Sequence, residues 1–519
     1  MRAHSISLRG VVLLGLVAGC TEPSPSMPDA SVATSDAPPI ADDAAPPPVV
    51  LEWGPCPTRF RDECATIAMP IDHDDPSGET IEVMISRRGE GTRQLWLLQG
   101  GPGGSAEAFF GLHDFLTTAL DPELEVYTIE HRGVGESTRL GCPTAEGRTS
   151  PGSYQITREE WPSCQAEVEA EWGERLALFD VSQAAHDLAL AIDLTRREGV
   201  PVFVYGGSYG TYWANRFGVL HPDQADGLIL DAPVAPGADL HLWDLAFEPI
   251  GRRVFSDLCL NAPRCREHLG DDPAAFLERV VTALQGGQCG SLGVDWASWR
   301  AVFSVFLMDY NLRNWLPALL YRLDRCSPDD QAAIAMLFSQ LFGGGGGLPR
   351  MSRVLQAHIC LAEFWPEGQV DEAPLAVARA ENVFFQDGIA HVYAAQPTWP
   401  RYDAGAIRNE YAPPSVPMLV LAGSLDPAAP PAEVGYGYRD HLTGPAQTFV
   451  EIPYGAHTVL TTGSVGAGMP SCPVQLVRAF FDDPEGTLPV ECADDVLPPS
   501  FDAPEVLLDR YWGTEDLYD

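Results

Sequence analysis

The stretch "PVFVYGGSYG", residues 201–210, runs a β-rich apolar segment into two glycines, a serine and a closing glycine. In Gly206-Gly207-Ser208-Tyr209-Gly210 the central residue occupies a sharp strand-to-helix turn with strained backbone angles. The residues two before and two after it must then lack a Cβ that would clash. Such a turn lifts the Ser208 hydroxyl above the end of a sheet. The pentapeptide alone decides little, because a chain with 49 Gly also makes ordinary glycine-rich turns. Its meaning rests on whether the rest of the chain supplies a base, an acid and donors for an oxyanion.

The flanking sequence has the rhythm of a parallel sheet. Residues 80–88, 94–99 and 125–133 read as strands ending in glycine-rich loops, and residues 181–197 carry apolar side chains at helical spacing. The segment "VFVYGG" is a strand, Ser208 opens a helix, and "GLILDAP" at 227–233 is a further strand. Strand and helix in alternation predict an α/β fold, a mostly parallel sheet with helices on both faces. From about 236 to 413 the chain is mainly helical, with the run "GGGGG" at 343–347; strand signals return at 416–423 and 448–453. The expected organisation is a core over residues 51–235 and 414–519, interrupted by a helical cap insertion over residues 236–413. A separate second domain is the poorer account, since the returning strands are too few for a sheet of their own.

Composition bounds the function. The 519 residues include 72 Asp+Glu against 32 Lys+Arg, for a net charge of −40, and every one of those cations is arginine. Such a surface repels nucleic acid and anionic membrane. At the N-terminus, Arg2 and Arg9 flank "VVLLGLVA", which is too short to span a bilayer, and Cys20 follows Gly19. "LVAGC" resembles the lipobox of bacterial lipoproteins, which implies a signal peptide over residues 1–20 and lipidation of Cys20; a plain secretory signal is the alternative. In both cases the mature chain leaves the cytoplasm, for the cell envelope or the medium. Residues 21–50 are Pro, Ala, Ser and Asp with few large apolar groups, the composition of a tether that does not fold. Any membrane contact would come through the lipid anchor. An exported chain with 12 Cys favours disulfides, and proximity suggests Cys56 with Cys64, Cys142 with Cys164, Cys259 with Cys265, Cys289 with Cys326 and Cys472 with Cys492. Cys360 is left over as a buried thiol.

Catalytic groups of open α/β sheets gather at the carboxyl ends of strands. After residues 94–99 comes "GGPGGSA", whose amides can approach a substrate oxygen; Gly101 and the Tyr209 amide are the expected oxyanion donors. A phosphate-binding loop is the weaker alternative, because the Lys-Ser/Thr ending is missing and the chain has no lysine. Asp426 follows one returning strand in "GSLDP", and His457 follows the other in "YGAH". The order Ser208, Asp426, His457 is that of α/β-hydrolase triads. Serine needs a base to become a nucleophile, and the base needs an acid to fix its tautomer; this chemistry requires no metal or organic cofactor.

"GGPGGS", "HRGVGES" (131–137), "YGGSYG", "GSLDP" and "YGAH", in this order, resemble the proline iminopeptidase and tripeptidyl aminopeptidase group of α/β-hydrolases, peptidase family S33, especially its secreted bacterial members. The likeness runs over nearly all of residues 51–495. It implies hydrolysis at a free peptide N-terminus by an acyl-enzyme route, by a monomer acting on peptide substrates. "HICLAEFWPEG" resembles the group's glutamate-bearing cap segment, which offers Glu363 as the anchor for the substrate ammonium. Arg132 reads as a structural cation below the oxyanion loop. Two departures stand out: the group usually has Asp where Glu130 or His131 stands, and Gln99 replaces a histidine that often opens the loop. The competing readings are a carboxylic-ester hydrolase with the same triad and a non-catalytic surface binding protein on the same scaffold.

Overall fold

The computed structural model describes residues 51–57, 62–147, 149–151, 155–342 and 351–519. The expected signal peptide, Cys20, the tether and the glycine run at 343–347 lie outside the described residues.

The described chain forms one nine-stranded sheet: β1 (Gly54–Pro55), β2 (Glu63–Pro70), β3 (Thr80–Arg88), β4 (Arg93–Leu98), β5 (Leu124–Ile129), β6 (Val202–Gly207), β7 (Gly227–Asp231), β8 (Met418–Gly423) and β9 (Gln447–Ile452). Their order is β1-β2-β3-β5-β4-β6-β7-β8-β9, antiparallel from β1 to β5 and parallel from β5 onward. The central strands β6, β7 and β8 are buried along their whole length, as parallel strands covered on both faces must be. Their side chains divide with the period of two. Trp96, Val204, Leu230 and Val420 enter one core, while Leu97, Phe203, Ile229 and Leu421 enter the other, against Phe480 and Phe481. β2 instead alternates buried and exposed positions, and its small alanines left it without a strand signal in the sequence.

Helices α1 (Val181–Thr195) and α2 (Tyr209–Leu220) pack on the first of these faces. Among the described residues no strand lies between β7 and β8. Part of that stretch builds a core of its own, including α3 (Trp296–Met308) and α4 (Tyr310–Arg325). Each of these two helices starts on an aspartate cap: Asp295 accepts from the Ser298 amide and Asp309 from the Leu312 amide, at 2.8 and 2.9 Å.

The packing departs from the expected boundaries at two places. Helix α5 (Arg353–Glu363) and the chain around Tyr393 bury Leu355, Ile359 and Val392 in the sheet-side core, although they fall within the stretch read as cap. The C-terminal tail, read as part of the sheet domain, packs into the helical core instead. Phe501, Trp512 and Tyr518 are buried there, and Arg322 of α4 donates to the main-chain oxygens of Asp516, Leu517 and Asp519. An aromatic tail with no strand partner buries most surface where another aromatic cluster, around Trp315, is already assembled. The five disulfides pair as their proximity suggests, and Cys360 is a buried free thiol.

Candidate active site

Ser208 joins β6 to α2 with φ 57° and ψ −127°, the strained turn that its neighbours permit. A Cβ on Gly206 would lie 2.2 Å from the Gly210 oxygen, and one on Gly210 would lie 2.1 Å from the Leu98 oxygen. Both glycines are therefore required by close backbone approach. The Ser208 amide donates to Asp231 O at 2.9 Å, tying the turn to the end of β7.

The loop after β4 lies against this turn: a Cβ on Gly100 would stand 2.8 Å from the Ser208 Cβ. Gly101 has φ 121° and precedes a cis proline, and Gly104 N–H donates to Gly100 O at 3.1 Å. Glu130 anchors the loop's far end. Its carboxylate accepts from Ser105 Oγ at 2.6 Å and from the Ala106 amide at 2.9 Å, which shows what a glutamate does at this position. Tyr209 is the first residue of α2, so its amide has no acceptor within the helix. Gly101 and Tyr209 both line the same cavity as Ser208.

Asp426 and His457 leave the ends of β8 and β9. The His457 Nδ1 lies 2.8 and 3.0 Å from the two Asp426 carboxylate oxygens, and both residues are buried. Asp426 Oδ1 also accepts from the Ala428 and Ala429 amides, each at 2.8 Å, which fixes the carboxylate. Burial works against a charged imidazole here, but the Asp426 carboxylate and, behind it, Asp231 outweigh burial and hold His457 above its ordinary pKa. His457 and Ser208 share the cavity wall. No hydrogen bond joins their side chains among the described residues, so the Asp426–His457 pair is formed while Ser208 stands apart from it; side-chain hydrogen bonds of unliganded sites are often long or unmade.

Three groups that the sequence reading did not assign hold this arrangement. Asp231, at the carboxyl end of β7, accepts from the Val459 and Leu460 amides at 2.7 and 3.0 Å and from the Tyr205 hydroxyl at 2.8 Å. Burial pushes its carboxyl up to about 6 against these donors. A strand-end aspartate was the available signal, the same one that marked Asp426. From the helical insertion, Met308 O accepts from the His457 amide at 3.0 Å, and buried Arg313 donates to Leu425 O and Tyr454 O. Nothing local in the sequence marks Arg313.

The cavity encloses about 570 Å³ beneath the helical segment. Its walls include Leu240, Trp243, Met308 and Phe364, and the carboxylates Glu372 and Asp387. Glu363 does not line it. Glu363 is 1% exposed; it accepts from Tyr212 OH at 2.6 Å and Tyr402 OH at 2.9 Å and pairs with Arg216 at 3.2 Å. The ammonium-anchor role is thus corrected: both its oxygens are already satisfied by buried partners. Arg132 is structural in the way its sequence context suggests, with a bidentate pair to Asp187 and bonds to the oxygens of Pro70, Ile71 and Leu178.

The family model described as serine aminopeptidase, S33, matches residues 103–278. The tripeptidyl aminopeptidase of Streptomyces coelicolor is 28% identical over 258 residues, covering 43% of this chain and 46% of that protein. The serine protease Hip1 of Mycobacterium tuberculosis is 26% identical over 253 residues, covering 44% of this chain and 48% of Hip1. The chain thus spans about half the length of the curated relatives it matches. Among solved structures, the proline iminopeptidase of Mycobacterium smegmatis is 15% identical over 81% of this chain and 98% of its own, with a TM-score of 0.34. The sheet topology is that of an α/β-hydrolase, and from the glycine loop onward, over residues 103–278, the chain is similar to the serine aminopeptidases of family S33.

Proposed function

We propose that the protein is a serine exopeptidase that cleaves short fragments from the free N-terminus of peptides. The observation that carries this reading is the fixed Asp426–His457 couple facing the Ser208 turn and the glycine loop across one cavity. His457 takes the Ser208 proton as Oγ attacks the scissile carbonyl, and Asp426 stabilises the imidazolium that forms. The Tyr209 and Gly101 amides receive the oxyanion. His457 then protonates the leaving amine, the C–N bond breaks, and water repeats the cycle on the acyl-enzyme to release the N-terminal fragment. With Glu363 withdrawn from the cavity, the substrate ammonium is received by Glu372 and Asp387, the carboxylates on its wall. The protein works outside the cytoplasm, with Cys20 as its lipid anchor and the tether between membrane and enzyme.

One observation favours a second reading, an ester hydrolase with the same triad. Glu372 is paired with Arg158 and Arg379, and Asp387 with Arg379, so neither wall carboxylate is free, and the rest of the lining includes the apolar Leu240, Trp243, Met308 and Phe364. Turnover of a free-amine Ala-Ala-Pro anilide, its N-acetyl form, a proline anilide and a short-chain ester separates the two. Cleavage of the free tripeptide alone, silent in Ser208→Ala, supports the aminopeptidase; turnover of the ester alone overturns it.

A further inference from the structure

The cavity wall holds two arginines, and they differ in their partners. Arg158 gives its charge to Glu372 at 2.6 Å. Arg353 makes no ion pair among the described residues; its one side-chain bond is to Gln356 Oε1, at 2.7 Å. Burial pushes the Arg353 guanidinium down to about 10, with the charge of Glu146 opposing that shift without pairing to it. Arg353 is part-buried on the cavity wall, so its charge is neither fully hydrated nor neutralised by a carboxylate, and an anion entering the cavity can pair with it.

Position gives the anion a role. Arg353 opens α5, and the preceding residue, Ser352, donates its amide to Gly103 O of the glycine loop at 2.9 Å. A Cβ on Gly103 would stand 2.3 Å from Ser352 O, so the helix start and the loop are in direct contact. The guanidinium therefore belongs to the same wall as the loop that faces Ser208. A second wall residue, His391, is 6% exposed, and its Nε2 has no partner among the described residues. Burial first, and the Arg353 charge next, keep this imidazole neutral.

We propose that Arg353, with Gln356 and His391 beside it, is a carboxylate-binding subsite, so that the cavity takes short peptides bearing a carboxylate close to the scissile bond. The guanidinium fork matches a carboxylate in two parallel hydrogen bonds. Two sources share this chemistry: an acidic side chain, or the terminal carboxylate of a short peptide. The inference rests on the reading of this cavity as the substrate site, and it adds an anionic requirement to the cationic one of an aminopeptidase.

Binding to the full chain carrying Ser208→Ala tests it without any catalysis. Calorimetric titration compares tri-alanine with its C-terminal amide, and Ala-Ala-Glu-amide with Ala-Ala-Gln-amide. The expected result is at least tenfold tighter binding of the acid in one of the two pairs, which also identifies the source. Adding Arg353→Gln brings that ratio to within twofold, and Arg353→Lys, which keeps the charge without the fork, leaves an intermediate ratio. Equal affinities within both pairs, or a ratio that survives Arg353→Gln in a protein with unchanged thermal unfolding, overturns the subsite. Should Arg353→Gln fail to fold, Arg353→Lys and the loss of preference between 20 and about 500 mM salt carry the same decision. Failure of the aminopeptidase reading shows separately, as an absence of peptide cleavage by the unsubstituted enzyme.

Discussion

Arg313 donates a 3.0 Å hydrogen bond to the main-chain oxygen of Leu425, the residue immediately before Asp426. Its other terminal nitrogen donates to Tyr454 O, three residues before His457. A helix of the insertion thus grips the two loops that carry Asp426 and His457, and Met308 O adds a third tie at the His457 amide. The insertion is therefore part of the frame of the site as well as its roof.

Replacing this arginine tests that role. Arg313→Leu leaves two buried carbonyls unsatisfied and frees both loops; removal of a buried partner costs about 1–3 kcal/mol per orphaned group. The triad should remain but lose alignment. Expected are a fall in kcat of roughly 10–100-fold, because small misplacements have large rate effects, and a KM within threefold. Steady-state kinetics with the rate of fluorophosphonate labelling at Ser208 read this directly. Labelling at the unsubstituted rate would refute the positioning role.

The pH profile identifies the base. His457 must be neutral to accept the Ser208 proton, and Asp426 and Asp231, outweighing burial, hold its pKa above the ordinary value. Activity should therefore rise with pH through a midpoint above about 6.5. Asp426→Asn removes the strongest raising influence: the midpoint should move down, and kcat should drop by about 10⁴ as the imidazole loses its tautomer. An acid limb unmoved by the substitution would mean that another group is the base.

Glu363 makes the opposite prediction from its sequence context. Glu363→Gln removes the countercharge of buried Arg216, leaving it only neutral acceptors: the new amide oxygen, Tyr212 OH and Ser182 Oγ. Breaking one side of such a pair costs about 3–5 kcal/mol, so denaturant unfolding should show a clear loss of stability. Discrimination between free and N-acetylated tripeptide anilides, read as the ratio of kcat/KM, should stay within twofold. A collapsed ratio with unchanged stability would restore Glu363 as the ammonium anchor.

The contrast between Ser208 and Glu363 explains what the sequence could reveal. Ser208, Asp426 and His457 each follow directly from a strand, so local periodicity and turn chemistry place all three at one sheet edge. Gly206 and Gly210 around Ser208, and Gly100 in the loop after β4, are demanded by contacts within a few residues or one strand away. Glu363 is decided by Arg216, 147 residues earlier on another helix, and no local pattern carries that pairing. Arg313 and the C-terminal tail are illegible for the same reason: their partners are distant in the chain, and their packing is settled only once the helical core forms.

Asp244 links pH to the cavity wall. It is fully buried and accepts from the Gly388 and Ile389 amides at 2.9 and 3.4 Å, and both of these residues line the cavity. Burial pushes its carboxyl up to about 7; the Gly388 amide opposes the shift and the Asp387 charge adds to it. In the unfolded chain an aspartate titrates near 3.9. Between these values the folded state holds a proton that the unfolded state has released, so stability falls as pH rises from about 4 to about 7 and the full cost is present above that. Asp244→Asn keeps a carbonyl acceptor and cannot ionise. Its advantage over the unsubstituted protein should be absent at pH 4 and grow to at most about 4 kcal/mol by pH 8, in denaturant unfolding at each pH. The sign is the decisive part: an advantage that shrinks as pH rises would mean that Asp244 is held ionised by its two amides, and that the loop at Gly388 is fixed by a charge instead of a proton.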